Sequence, residues 1–93
     1  MRELPVIAGK KPGAVKAKVW RELAGYDPLK NDEFDFDGCV EKIALVYDVT
    51  PDDVVDTLDV SEIFPTFLGC IEYVNGLVLS KLETMPKNVQ NGQ

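Results

Sequence analysis

The sequence predicts a small all-α domain of four helices, and three observations carry that reading. Apolar residues recur at helical spacing in two segments, helix-starting signals stand at residues 50–53 and 59–62, and the run from Val60 to Met85 is apolar almost throughout. At 93 residues the chain is the size of one domain. Residues 1–86 read as that domain, opening with a short extended arm, and 87–93 as a disordered polar tail with nothing to bury.

Taken in order, Leu4, Pro5, Val6 and Ile7 form the arm, which Lys10-Lys11-Pro12-Gly13 breaks. From Ala14 to Gly25, Val15, Val19 and Leu23 recur every four residues with Trp20 beside them, while Lys16, Lys18, Arg21 and Glu22 fall mostly opposite. This spacing predicts a first helix that Gly25 stops. Asp27-Pro28 and Asn31-Asp32 then predict a loop over 26–33, since proline disfavours helical geometry in the residue before it.

Phe36, Cys39, Val40, Ile43, Ala44 and Tyr47 follow one helical face, so a second helix begins near Asp35 or Asp37. Thr50-Pro51-Asp52-Asp53 supplies an N-cap hydroxyl, a proline at the first helical position and two acids near the positive end of the helix dipole. The third helix therefore runs from Pro51 to about Leu58. Asp59 and Glu62 have capping-box spacing and open the fourth helix, Val60 to Met85, which Pro65 bends near its start and Pro86 ends.

Composition narrows the function. The chain has no histidine, so the usual general base, nucleophile activator and commonest metal ligand are all missing. The residues point to a binding protein, not an enzyme, with no cofactor. Residues 1–30 hold seven of the ten basic residues against three acids, whereas 31–62 hold eleven acids against Lys42 alone. No stretch reaches the ~18 uncharged apolar residues of a membrane span, and the N-terminus lacks a secretory pattern, so the expected location is the cytoplasm. Cys39 and Cys70 lack metal-like spacing and read as buried free thiols.

Three clusters invite chemistry. Glu33 to Gly38 begins like a calcium-binding loop, but its first position is Glu and its twelfth, where a bidentate Glu would close the cage, is Ala44. An acidic helix-capping loop fits better. Asp48, Asp52, Asp53, Asp56 and Asp59 read as a solvated face, because no nucleophile or phosphate-binding loop accompanies them. Lys10, Lys11, Lys16, Lys18 and Arg21 beside Trp20 read as a solvated helix face in a chain of net charge −6, which disfavours nucleic acid as the partner.

The last helix is the informative element. Val60, Phe64, Phe67, Ile71, Val74, Val78 and Leu82 make one stripe, and Ile63, Cys70, Leu77, Leu68 and Leu79 cover much of the rest. Such a helix is either central in its fold or pressed against a partner, and Gly69 and Gly76 suggest close approach of a second helix. From this pattern the candidate partner-binding residues are Phe64, Phe67, Ile71, Val74 and Leu77, with Trp20 in addition.

Val19-Trp20-Arg21-Glu22-Leu23, the Asp35 to Tyr47 helix, Leu58 to Pro65 and Val74-Asn75-Gly76-Leu77-Val78 together resemble phage tail assembly chaperones of long-tailed phages and prophages, over roughly residues 12–86. The resemblance implies a small helical protein of the bacterial cytoplasm, absent from the mature virion, that binds the tape measure protein and keeps its hydrophobic helices soluble. It also implies contact with the tail tube protein through a longer, frameshifted form. The brief, proline-containing N-terminus departs from relatives that carry a clearer strand there. Self-association would add stability to a core this small, and neither nucleic acid nor a membrane is expected as a partner. Two readings from other classes stand beside this one: an acidic mimic of nucleic acid that inhibits a DNA-binding protein, and a calcium-dependent binding module.

Overall fold

The computed structural model of the protein describes residues 3–83, with side chains through Ser80, so the polar tail expected over 87–93 lies outside the described residues. The architecture is the all-α one that the periodicity predicts. Helix α1 spans Ala17–Ala24, α2 Phe36–Tyr47, α3 Pro51–Thr57 and α4 Val60–Glu83, with two short strands, β1 (Leu29–Lys30) and β2 (Glu33–Phe34), between α1 and α2.

Helix α2 organises the rest, because it packs on each of the other three helices. Its predicted face is the one it buries: Cys39, Val40, Ile43, Ala44 and Tyr47 are in the core and Phe36 is packed against it. Val46 joins them, since α3 covers a second side of the helix. Asp35 caps its start by accepting from the Gly38 amide at 3.0 Å. Asp48 turns left-handed at φ 61 to end it, and the Val49 amide reaches back to the Ala44 carbonyl at 3.0 Å.

Helix α3 begins with the expected N-cap hydroxyl, which is one half of a capping box: Thr50 Oγ1 accepts from the Asp53 amide, and Asp53 accepts from the Thr50 amide, both at 3.1 Å. At the head of α4 the Asp59 amide donates to Glu62 Oε1 at 2.8 Å, and the helix continues through Pro65 unbroken.

Four expectations need correction. Helix α1 starts at Ala17, not Ala14, because residues before it are held extended: Lys16 has ψ 151 with no side-chain cap, and the Tyr73 hydroxyl donates to the Gly13 carbonyl at 2.6 Å. The segment 26–33 is not a plain loop. Asn31 and Asp32 both adopt left-handed φ, 55 and 65, which is the twist a two-residue hairpin turn needs, and they pair Leu29 with Phe34 and Lys30 with Glu33. Third, the stripe that α4 buries is not the one read from the sequence. Ile63, Thr66, Phe67, Cys70 and Val74 face the core, whereas Val60 is 83% exposed and Phe64 and Ile71 are half-buried. Val60–Ser80 is also long and apolar enough to cross a membrane by length and composition, contrary to the expectation that no stretch would be. One side of that segment forms the core face just described.

The described part of the N-terminal arm lies outside any helix or named strand and is tied down at several points. Ile7 is fully buried, and Ile7 and Lys10 exchange amide-to-carbonyl bonds of 2.9 Å around a turn with left-handed Ala8 and Gly9. The Tyr47 hydroxyl donates to the Pro5 carbonyl at 2.6 Å, and Lys10 Nζ donates to the Asp48 carbonyl at 3.0 Å, where a cation complements the helix C-terminus.

Tyr26 joins the hairpin region to α2 and α4. Its hydroxyl donates to the Asp35 carbonyl at 3.2 Å, its ring meets the Phe67 ring edge-on at 5.6 Å, and Lys42 Nζ sits 4.7 Å from its centroid. Gly38 makes this junction possible, since a Cβ there would meet the Tyr26 hydroxyl and the Asp35 carboxylate. Alanine normally stabilises a helix position by ~1 kcal/mol over glycine, but here it displaces a cap and a tyrosine hydrogen bond worth ~1 kcal/mol each. Gly38→Ala is therefore expected to destabilise by about 1 kcal/mol net and to lower the thermal midpoint by roughly 4–8 °C, read by circular dichroism. An unchanged or raised midpoint would show that Tyr26 and Asp35 yield freely.

Candidate functional site, an apolar groove between α1 and α4

The described residues fall into two groups of candidate chemistry, and only one forms a site. Glu33 lies in β2, Asp35 commits its carboxylate to the Gly38 amide, and Ala44 is buried in α2, so the loop that began like a calcium site is a strand followed by a helix cap. Among the described residues no three His, Cys, Asp or Glu side chains converge on a point. Asp48, Asp52, Asp56 and Asp59 are exposed, and Asp53 is used in capping α3. Both cysteines are free and buried. Burial pushes the Cys70 thiol up to about 12 and raises Cys39 as well, which leaves little nucleophilic thiolate near neutral pH.

The second group is apolar. Where α1 crosses the C-terminal half of α4, a groove of about 530 Å³ opens to the surface, floored by Val15, Trp20, Val74, Leu77 and Val78 and edged by Lys16 and Arg21. The Trp20 indole N–H donates across the helix pair to Asn75 Oδ1 at 3.3 Å, so its ring lines the groove with its polar atom already satisfied. Leu77, Val78 and Leu79 are 38%, 39% and 55% exposed, and Trp20 is 38% exposed. Gly76 lies beside them with nothing within 4 Å of where a Cβ would stand, so the close helix approach expected at that glycine is not made among the described residues.

The six residues picked from the apolar pattern are divided by the fold. Trp20, Leu77 and Val74 come together at the groove, although Val74 is only 2% exposed and contributes floor more than surface. Phe67 is fully buried, stacked on Phe64 at 6.3 Å and met edge-on by Tyr26, and belongs to the core. Phe64 also takes the Phe34 ring edge-on at 5.5 Å, which anchors the β-hairpin on α4. Ile71 packs half-buried against the core. Val15 and Val78 were legible as apolar positions but not as a site, because the groove depends on the crossing of two helices far apart in sequence.

What the geometry can do is bind an apolar side of another molecule. It offers no paired acid and base, no activated nucleophile and no nest of phosphate-binding amides at this place. Fold and groove together define a small all-α protein with an open apolar groove. Comparison with protein-family models, with curated proteins and with solved structures finds no match for the chain.

One electrostatic consequence can be tested at the head of α2. The Gly38 amide, and after it the Tyr26 hydroxyl, hold the Asp35 carboxyl below its ordinary range. A carboxylate with a lowered native pKa adds stability that is present above the unfolded value, about 3.9, and is lost as pH falls through the native value. Asp35→Asn keeps a good cap but removes the charge, so in denaturant titrations the wild type is expected to lead above about pH 4 and to lose that lead at lower pH. A difference that does not vary with pH would remove the electrostatic account.

Proposed function

We propose that this protein is a phage tail assembly chaperone that binds hydrophobic helices of the tape measure protein, in the host cytoplasm, and acts by binding without catalysis. The observation that carries the reading is the open apolar groove at Trp20, Leu77 and Val78, together with the resemblance over residues 12–86. A groove of this type accepts an amphipathic helix through side chains at i, i+3, i+4 and i+7, and so keeps from water the surface on which such helices aggregate. The net charge of −6 suits this role, because it keeps a complex of two apolar helical proteins soluble. Assignment to the tail tube protein belongs to a longer form and is carried by the resemblance alone.

The alternative of an acidic nucleic-acid mimic draws support from Asp52, Asp56 and Asp59, all exposed around α3. The two readings part on which change abolishes binding. Co-expression with the tape measure protein of the same genome is expected to raise its soluble yield and to co-purify the pair. Leu77→Asp, at a partly exposed groove position, is expected to keep the fold by circular dichroism and to weaken the complex about 10-fold or more. If the tape measure protein stays insoluble beside the well-folded wild type, the chaperone reading fails. Binding to a basic DNA-binding protein that collapses with salt and ignores Leu77→Asp would favour the mimic.

A further inference from the structure

We infer that the groove takes an amphipathic helix that carries carboxylates along one edge, its apolar face entering against Trp20, Leu77 and Val78 and its carboxylates meeting Lys16 and Arg21. The inference rests on the chaperone reading for the source of that helix, a segment of the tape measure protein, and adds the charge pattern by which the segment is selected.

The floor sets the first requirement. Trp20 has already given its indole N–H to Asn75, so what it shows an incoming chain is ring, and Leu77 and Val78 beside it show only aliphatic carbon. A polar segment would lose hydrogen bonds to water there without replacement, whereas leucine-like side chains gain by leaving water.

The rim sets the second. This is an acidic protein, yet among the described residues the charged ones at the groove edge are Lys16 and Arg21, both exposed and both on the α1 side. The acids of residues 31–62 lie on the hairpin, α2, α3 and the head of α4, and none of them lines the groove. Asp48 shares a neighbouring cleft with Lys16 and Lys18 but does not line this groove, and surface charges act most strongly on the groups they touch. Local complementarity therefore favours carboxylates on the side of the ligand next to α1, despite the unfavourable overall charge. Among the described residues the charges that line the groove, Lys16 and Arg21, stand on the α1 side, and so they favour a carboxylate-bearing edge of the incoming helix facing α1.

Trp20 is the single tryptophan of the chain, so its fluorescence reports on the groove directly. Two tryptophan-free peptides of about 18 residues, long enough to hold some helix, would share one leucine stripe and differ in flanking glutamates or lysines. Titrated into the full-length protein, the glutamate peptide is expected to shift Trp20 emission and to bind at least about fivefold more tightly than the lysine peptide, a difference that shrinks with added salt. The double variant K16E/R21E is expected to invert the order, and K16Q/R21Q to erase it, with circular dichroism checking the fold of each. Equal binding, a preference for lysine, or unchanged Trp20 emission with both peptides overturns the inference. Loss of tape measure co-purification with the glutamate preference intact overturns the chaperone reading alone. Co-purification without that preference overturns only the inference.

Discussion

A helix that is apolar almost all the way round needs more cover than a short chain can give it. Helix α4 has 24 residues and spans ~36 Å, while α1, α2 and α3 have 8, 12 and 7 residues. The cover is spent on Ile63, Phe67, Cys70 and Val74, which α2 and its neighbours close off completely. Beyond Val74 the described residues that flank α4 belong to α1 and the segment just before it, and Leu77, Val78 and Leu79 are partly exposed. The groove is thus the place where the shortage of covering surface falls. It falls in the C-terminal half of α4, where the residues of α1 and the segment before it line the groove.

Placing the shortage at one end requires the other end to be rigid. Two capped helices, the Tyr26 junction and the aromatic contacts from Phe34 through Phe64 to Phe67 do this work at the head of α4. Tyr26 is central to that junction: its hydroxyl satisfies the Asp35 carbonyl, its ring packs on Phe67, and Lys42 covers it while reaching Glu22 of α1 at 3.9 Å. Burial raises its phenol well above the ordinary range, in keeping with a hydroxyl that donates and stays neutral. The acids of the middle segment make sense in this frame. Asp35, Asp53 and Glu62, three of the eleven acids there, each hold a backbone amide at a helix start.

The elements legible in the sequence are those whose signals are local. Helices α2 and α3 were readable to within a residue or so because caps, a proline at the first position and a clean periodicity agree. The hairpin is less legible because Asn31-Asp32 reads equally as a loop, although both residues tolerate the left-handed geometry that a tight turn demands. For α4 the existence of the helix was plain and its buried face was not, since an apolar pattern on nearly every side has no single preferred direction. Phe67 was picked from the correct helix yet serves the core, and Trp20 gained its place only through a contact with Asn75, 55 residues away.

The N-terminal arm carries a consequence for how this chain can change over generations. Tyr47 holds Pro5 and Tyr73 holds Pro12 and Gly13, in every case through a main-chain carbonyl. Carbonyls are common to all twenty residues, so this fastening recognises the path of the arm and not its spelling. Val6, Lys11 and Ala14, which are exposed, can drift without loosening the hold, whereas Ile7, sealed in the core, cannot. The arm is a segment where sequence divergence and structural constancy are compatible, and where likeness between kindred chains would fade first.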